Sequence, residues 1–178
     1  MCKTALICTG GGSRGILQTG SLNYIYGKKI PFDIVYAGSV GALNAMLFLQ
    51  GQIDDLNKLW LSIKNSDVYS FNPLNLWKVL TNDASLYSSK PLEKLIRKYL
   101  DIEKIKALPI PFMVGVTNLT NMTSIVKDVR NLDYEDAVKW ILASASPPIL
   151  FPTITVEADE HCDTGILNNY FLTNARND

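Results

Sequence analysis

One serine in this sequence has neighbours suited to nucleophilic chemistry. An apolar run, Phe32-Asp33-Ile34-Val35-Tyr36, leads into Ala37-Gly38-Ser39-Val40-Gly41-Ala42, and a helix-like run continues to Leu49. A strand, a tight turn and a helix in that order push the serine hydroxyl out of the backbone and aim the helix's N-terminal N–H groups near it. The hydrolase form of this turn is Gly-x-Ser-x-Gly, and Ala37 stands here at the first glycine. Ser39 is therefore the candidate nucleophile.

A second stretch, Gly10-Gly11-Gly12-Ser13-Arg14-Gly15, follows the short apolar run Thr4–Cys8. Consecutive glycines let a backbone approach a ligand closely and point several N–H groups at it, which suits a phosphate or the oxyanion of acyl transfer. No Gly-Lys-Ser/Thr follows, so this is not a Walker loop, and Ser39 stands about where a dinucleotide site would carry its acid. The plain alternative is a strand-to-helix turn. Arg14 either fixes the loop, meets an anionic head group or makes an ordinary salt bridge.

A nucleophilic serine needs a base. The single histidine, His161, follows the serine, as do Asp133 and Asp136, so a Ser39, Asp133 or Asp136, His161 triad is open on chain order. His161 lies two residues before Asp163 in a segment resembling a strand end, where alternation puts both on one face. The turn Thr164-Gly165 can lift the Asp163 carboxylate out of the strand, and a serine–aspartate dyad then needs no histidine.

Taken together, these stretches resemble the patatin-like phospholipases. Gly10–Gly15 matches the family's GGGxRG loop, and Ala37–Ala45 resembles its GxSxGAxNA elbow. Ala143-Ser144-Ala145-Ser146-Pro147-Pro148 with Phe151-Pro152 resembles the segment before the last site strand. Asp163-Thr164-Gly165, then Asn168-Asn169, resembles the DGG/DGA turn and the NNP-like stretch after it. The resemblance implies a lipid acyl hydrolase without metal or other cofactor. Ser39 would be the nucleophile and Asp163 its base. The loop Gly10, Gly11, Gly12, Ser13, Arg14, Gly15 would form the oxyanion hole, with the N–H groups of Gly11, Gly12 and Ser13 as donors. Phospholipid or another acyl lipid is the implied substrate, met at a membrane surface. The departures are Ala37, Thr164 in place of the middle glycine, and Tyr170 in place of a proline. They leave a weakened, lipid- or partner-binding member as the alternative.

The elements that must position these residues can be read in outline. The two special turns end successive strands, so a parallel sheet brings both to its C-terminal edge. Ile53, Leu56, Trp60 and Ile63 repeat at helical spacing, as do Leu92, Leu95, Ile96 and Tyr99 after Pro91. Phe112–Thr117 predicts a central strand with Ser124–Lys127 paired beside it. Asp133 to Ala143 predicts a helix capped by Asp133, with Ala137, Trp140 and Ile141 inward. Ile149–Pro152 and Ile154–Val156 read as short extended segments. The irregular stretch Ser66–Ser89, with a short helix near Leu74–Leu80, predicts a lid or substrate-facing insertion. The order argues an α/β three-layer sandwich around a mostly parallel central sheet.

At 178 residues, one domain over 1–178 is expected. By the resemblance it stops short of the family's usual C-terminal sheet, and an incomplete sheet edge would invite self-association or a further domain. Seventeen basic residues balance seventeen acidic ones, which gives no support for a nucleic-acid partner. Cys2, Cys8 and Cys162 form no CxxC, so reduced thiols in a cytoplasmic setting are expected, with the chain peripheral at a membrane. No signal peptide is read, and the longest apolar run, Ala42 to Leu49, is far too short to span a bilayer.

Overall fold

The computed structural model describes residues 3–71, 85, 87–148, 150–156 and 158–177. The region expected to hold a helix near Leu74–Leu80 lies outside the described residues. Strand β1 (Ala5–Cys8) runs through the glycine loop, a 3-10 turn over Gly12–Gly15, into helix α1 (Ile16–Lys28). Strand β2 (Ile34–Ala37) then leads through Ser39 into α2 (Val40–Leu49), and α3 (Ile53–Ser62) follows. A short α4 (Asn65–Val68) and a strand pair, β3 (Ser70–Phe71) and β4 (Tyr87–Ser88), precede α5 (Lys90–Tyr99) and α6 (Ile102–Lys106). The hairpin of β5 (Phe112–Asn118) and β6 (Thr123–Asp128) leads to α7 (Tyr134–Ser144). The chain ends in β7 (Ile154–Val156), β8 (Asp159–Cys162) and α8 (Leu172–Asn177).

Six strands form the main sheet, in the order β1-β2-β5-β8-β7 with β6 also paired to β5. The pairs β1–β2 and β2–β5 are parallel, while β6, β8 and β7 join antiparallel. The parallel core is the expected one, and the later strands make the sheet mixed. One edge of β5 carries β6 along its whole length. The other edge is shared: β2 takes Phe112 to Val114 and β8 takes Thr117 and Asn118. The C-terminal ends of β2 and β8 therefore meet nearly head-on beside Gly115.

Alternation along β2 divides the core. Val35 and Ala37 join a large cluster with Leu22, Met46, Leu56, Leu92, Ile96, Trp140 and Ile141, contributed by α1, α2, α3, α5 and α7. Ile34 and Tyr36 face the other side, where Phe171 and Ala175 from the C-terminal segment cover them. Helices thus sandwich the sheet unequally. Trp140 and Ile141 are buried in α7, and Asp133 caps it by accepting the Asp136 N–H at 2.8 Å. On α1, Leu22 is buried while Ile16 and Tyr24 are exposed, and Asn23 bonds Asn57 of α3. One detail differs from the sequence reading: in the expected segment Ile149–Pro152, Ile149 lies outside the described residues and residues 150–152 form no strand, the Phe151 N–H donating to the Pro147 carbonyl at 3.0 Å, so the first strand described after α7 is β7.

Candidate active site

Ser39 caps α2 with φ 53° and ψ −134°, a left-handed conformation that a residue with a side chain rarely adopts. Its hydroxyl makes no capping bond and is left free of the helix. The elbow can be this sharp because α2 starts hard against β1: a methyl on Gly41 would overlap the Cys8 carbonyl. Ala37 precedes this geometry rather than taking part in it. It is a fully buried strand residue in register with Cys8 and Val114, and its methyl sits in the core.

Asp163 follows the last residue of β8 and caps a 3-10 turn over Thr164–Ile166, its Oδ1 accepting the Gly165 N–H at 2.7 Å. The strand ends at Cys162, so alternation no longer governs Asp163, and it parts from His161. Ser39 and Asp163 line the same cavity. Burial pushes the Asp163 carboxyl up from its ordinary value, while the nearby Ser39 hydroxyl and the Gly165 N–H pull it down by less. Thr164 is not among the residues with positive φ. It is fully buried, its methyl fills the space beside Gly38, and its hydroxyl donates to the Asn168 carbonyl at 3.0 Å.

The other candidates for the base lie elsewhere. The His161 ring packs on Trp140 with centroids 5.4 Å apart and is 3% exposed. Asp133 serves as a helix cap, and Asp136 lies 3.8 Å from the Lys139 ammonium. Thiols do not compete with the serine: burial pushes Cys8 up to about 12, and burial together with the Asp163 charge pushes Cys162 up to about 11.

The glycine loop sits directly on the serine; a methyl on Gly10 would come within 2.8 Å of Ser39 Cβ. Within the loop the N–H groups divide. Gly10 donates to Asn169 Oδ1 at 2.9 Å, and Arg14 donates to the Gly11 carbonyl at 3.2 Å. Gly15 lies inside the 3-10 turn. The N–H groups of Gly11, Gly12 and Ser13 are the unpaired donors at the start of that turn, among the described residues. Gly12 has φ 57°, which glycine takes without strain. This narrows the six-residue loop to three donors and gives Gly10 a structural bond instead. Arg14 is exposed and makes no ion pair among the described residues.

Side chains not singled out in the sequence hold this arrangement. Asn44 of α2 donates to the Gly15 carbonyl at 2.9 Å and to Gln18 Oε1 at 3.0 Å. Gln18 donates to the Thr9 carbonyl at 2.6 Å, and Trp60 donates to Asn44 Oδ1 at 2.8 Å. Both ends of the glycine loop are thereby tied to the helix that carries Ser39. Asn169 and Ser144 lie within the motifs recognised in the sequence, but nothing in a single sequence assigns their bonds.

The site opens on a cavity of about 750 Å³. Ser39, Asp163 and residues Gly10 to Ser13 of the glycine loop line it together with Leu43, Leu59, Leu92 and Leu95. Val68 and Tyr69, in the stretch Ser66–Ser89 expected to face substrate, line it, as do Lys64 and Asn65 just before that stretch. Among the described residues no group of three His, Cys, Asp or Glu side chains could hold a metal ion. No helix among them is long and apolar enough to cross a membrane.

The chain is 25% identical over 175 residues to lysophospholipase NTE1 of Saccharomyces cerevisiae, covering 96% of this chain and 10% of that protein. It is 28% identical over 173 residues to patatin-like phospholipase domain-containing protein 7 of Rattus norvegicus, covering 93% of this chain and 12% of that one. The chain thus spans about a tenth of the length of these relatives. The crystal structure of VipD from Legionella pneumophila superposes with a TM-score of 0.65 at 16% identity, covering 94% of this chain and 46% of that one, which is a likeness of fold. The patatin-like phospholipase family pattern matches residues 6–176, and the chain belongs to that family.

Proposed function

We propose that this chain is a serine hydrolase of lipid acyl esters, working through a Ser39–Asp163 dyad. The observation that carries the reading is a serine on a strained elbow that shares one largely apolar cavity with a buried carboxylate, Asp163, and the glycine loop. Ser39 Oγ attacks the ester carbonyl as Asp163 takes its proton. The tetrahedral oxyanion forms against the N–H groups of Gly11, Gly12 and Ser13, donors fixed before the charge develops. Asp163 returns the proton to the departing alcohol. Water, activated by the same carboxylate, then releases the fatty acid from the acyl-enzyme. The apolar cavity suits an acyl chain, and the relatives named as lysophospholipases make a single-chain phospholipid the first substrate to try.

The lipid would be met at a membrane surface. Ile166 and Leu150 line the cavity and are also exposed, and Ile16, Leu17, Leu167 and Tyr170 are exposed on segments flanking the two catalytic turns. The Gly10–Asn169 bond draws those segments together. Exposed Arg14 would stand near an anionic head group. Buried Cys8 and Cys162 are free thiols, in keeping with a cytoplasmic setting. The outer strands of the described sheet, β1 and β7, are the edges through which self-association or a further domain would dock.

Release of p-nitrophenol from p-nitrophenyl butyrate, and of fatty acid from lysophosphatidylcholine, tests the reading. Wild type is expected to release both, Ser39→Ala and Asp163→Asn neither, and His161→Ala a substantial fraction. Equal inertness of wild type and Ser39→Ala on both substrates would remove the hydrolase and leave a lipid-binding domain. Neither Ala37 nor Thr164 favours that alternative, since both fit their positions without backbone strain.

A further inference from the structure

Ser39 is held in an unfavourable conformation at a place where the sheet has no strand to hold it. On the shared edge of β5, pairing with β2 ends at Val114 and pairing with β8 begins at Thr117. Gly115 and Val116 fall in the gap between. Buried backbone groups in such a gap need other partners. One side chain fills the role. The Ser144 hydroxyl, fully buried at the C-terminal end of α7, donates to the Gly115 carbonyl at 2.6 Å and accepts the Ser39 N–H at 3.0 Å. It replaces a strand-to-strand bond with a two-step bridge. One turn earlier on the same helix, Trp140 donates to the Val114 carbonyl at 2.8 Å, so α7 is fixed to successive residues of β5.

We infer that Ser144 is a positioning residue for the nucleophile: its hydroxyl pins the strained Ser39 backbone to the central strand and so sets where the Ser39 oxygen stands relative to Asp163 and the loop donors. This rests on Ser39 being the nucleophile. Ser144 touches no substrate and exchanges no proton with it. Losing its hydroxyl removes this partner from both the Ser39 N–H and the buried Gly115 carbonyl, and the elbow is free to shift. Displacement of a reacting oxygen by a fraction of an ångström lowers the rate of attack more than it alters binding.

The test is the rate at which a fluorophosphonate labels Ser39, measured at 20 °C on protein shown to be folded by circular dichroism, together with kcat and KM on p-nitrophenyl butyrate. Ser144→Ala is expected to slow labelling and lower kcat by about tenfold or more with KM nearly unchanged. Ser144→Cys, close in shape but weaker in hydrogen bonding, is expected to fall between, and it carries the test if the alanine variant does not fold. Ser146→Ala is the matched change: its hydroxyl is equally buried but donates within the helix end, to the Leu142 carbonyl at 2.7 Å. It is expected to slow labelling far less. Labelling of Ser144→Ala or Ser144→Cys within twofold of wild type, or equal slowing by Ser146→Ala, would overturn the inference. Failure of wild type itself to label at Ser39 would instead remove the nucleophile.

Discussion

Ser39 and Asp163 each carry a cost in the folded state. The φ of 53° at Ser39 is a strained position for a residue with a Cβ. Ser39→Gly is expected to raise stability by about 1 kcal/mol over Ser39→Ala in chemical denaturation, with both variants inactive. Asp163 is a buried carboxyl whose proton is held more tightly than in the unfolded chain. Its ionisation cost is absent below the unfolded value of about 3.9 and builds as pH rises through the higher folded value. Asp163→Asn is therefore expected to melt at or above the wild-type temperature at pH 7 while losing nearly all activity. The base must be ionised to accept the serine proton, so kcat/KM should fall on acidification, with a midpoint above the usual carboxylate range. A midpoint at or below about 4 would contradict the burial of the base.

At the scale of elements, the site is a meeting of two strand ends and two turns. Much of this was legible in the sequence, because each turn carries a local steric demand. Gly41 is required where α2 abuts the Cys8 carbonyl, and Gly10 is required where the loop backbone approaches Ser39. Ala137, Trp140 and Ile141 repeat at helical spacing and are buried together. What a single sequence does not carry is which distant groups pair. The shared edge of β5, the Asn169 bond to Gly10 and the Asn44–Gln18–Trp60 network arise from tertiary register. His161 shows the same limit: alternation put it beside Asp163 until the strand ended at Cys162. Asn169→Ala removes the acceptor that holds Gly10 and should lower kcat on p-nitrophenyl butyrate by about ten- to a hundredfold, with a smaller change in KM.

At the scale of the molecule, the sheet is covered unequally. One face lies under α1, α2, α3, α5, α6 and α7, and the other depends on the segment after the site. Phe171 is fully buried there, stacks on Tyr36 at 5.8 Å and fills the space above Gly115. Phe171→Ala should cost about 3–5 kcal/mol in urea denaturation, more than any surface change. The exposed apolar side chains beside the cavity belong to this scale as well. Leu17→Asp with Leu167→Asp should weaken co-sedimentation with phosphatidylcholine vesicles while leaving hydrolysis of p-nitrophenyl butyrate within about twofold, since 75% and 44% exposure leave the fold little dependent on them. The proposed chemistry turns on one atom, the Ser39 hydroxyl oxygen, and mass spectrometry of the protein treated with a fluorophosphonate probes that atom. Wild type is expected to give a single adduct on the peptide containing Ser39, Ser39→Ala none, and Asp163→Asn a much slower one. An adduct at another residue, or none under conditions that label a reference serine esterase, would rule out Ser39 as the nucleophile.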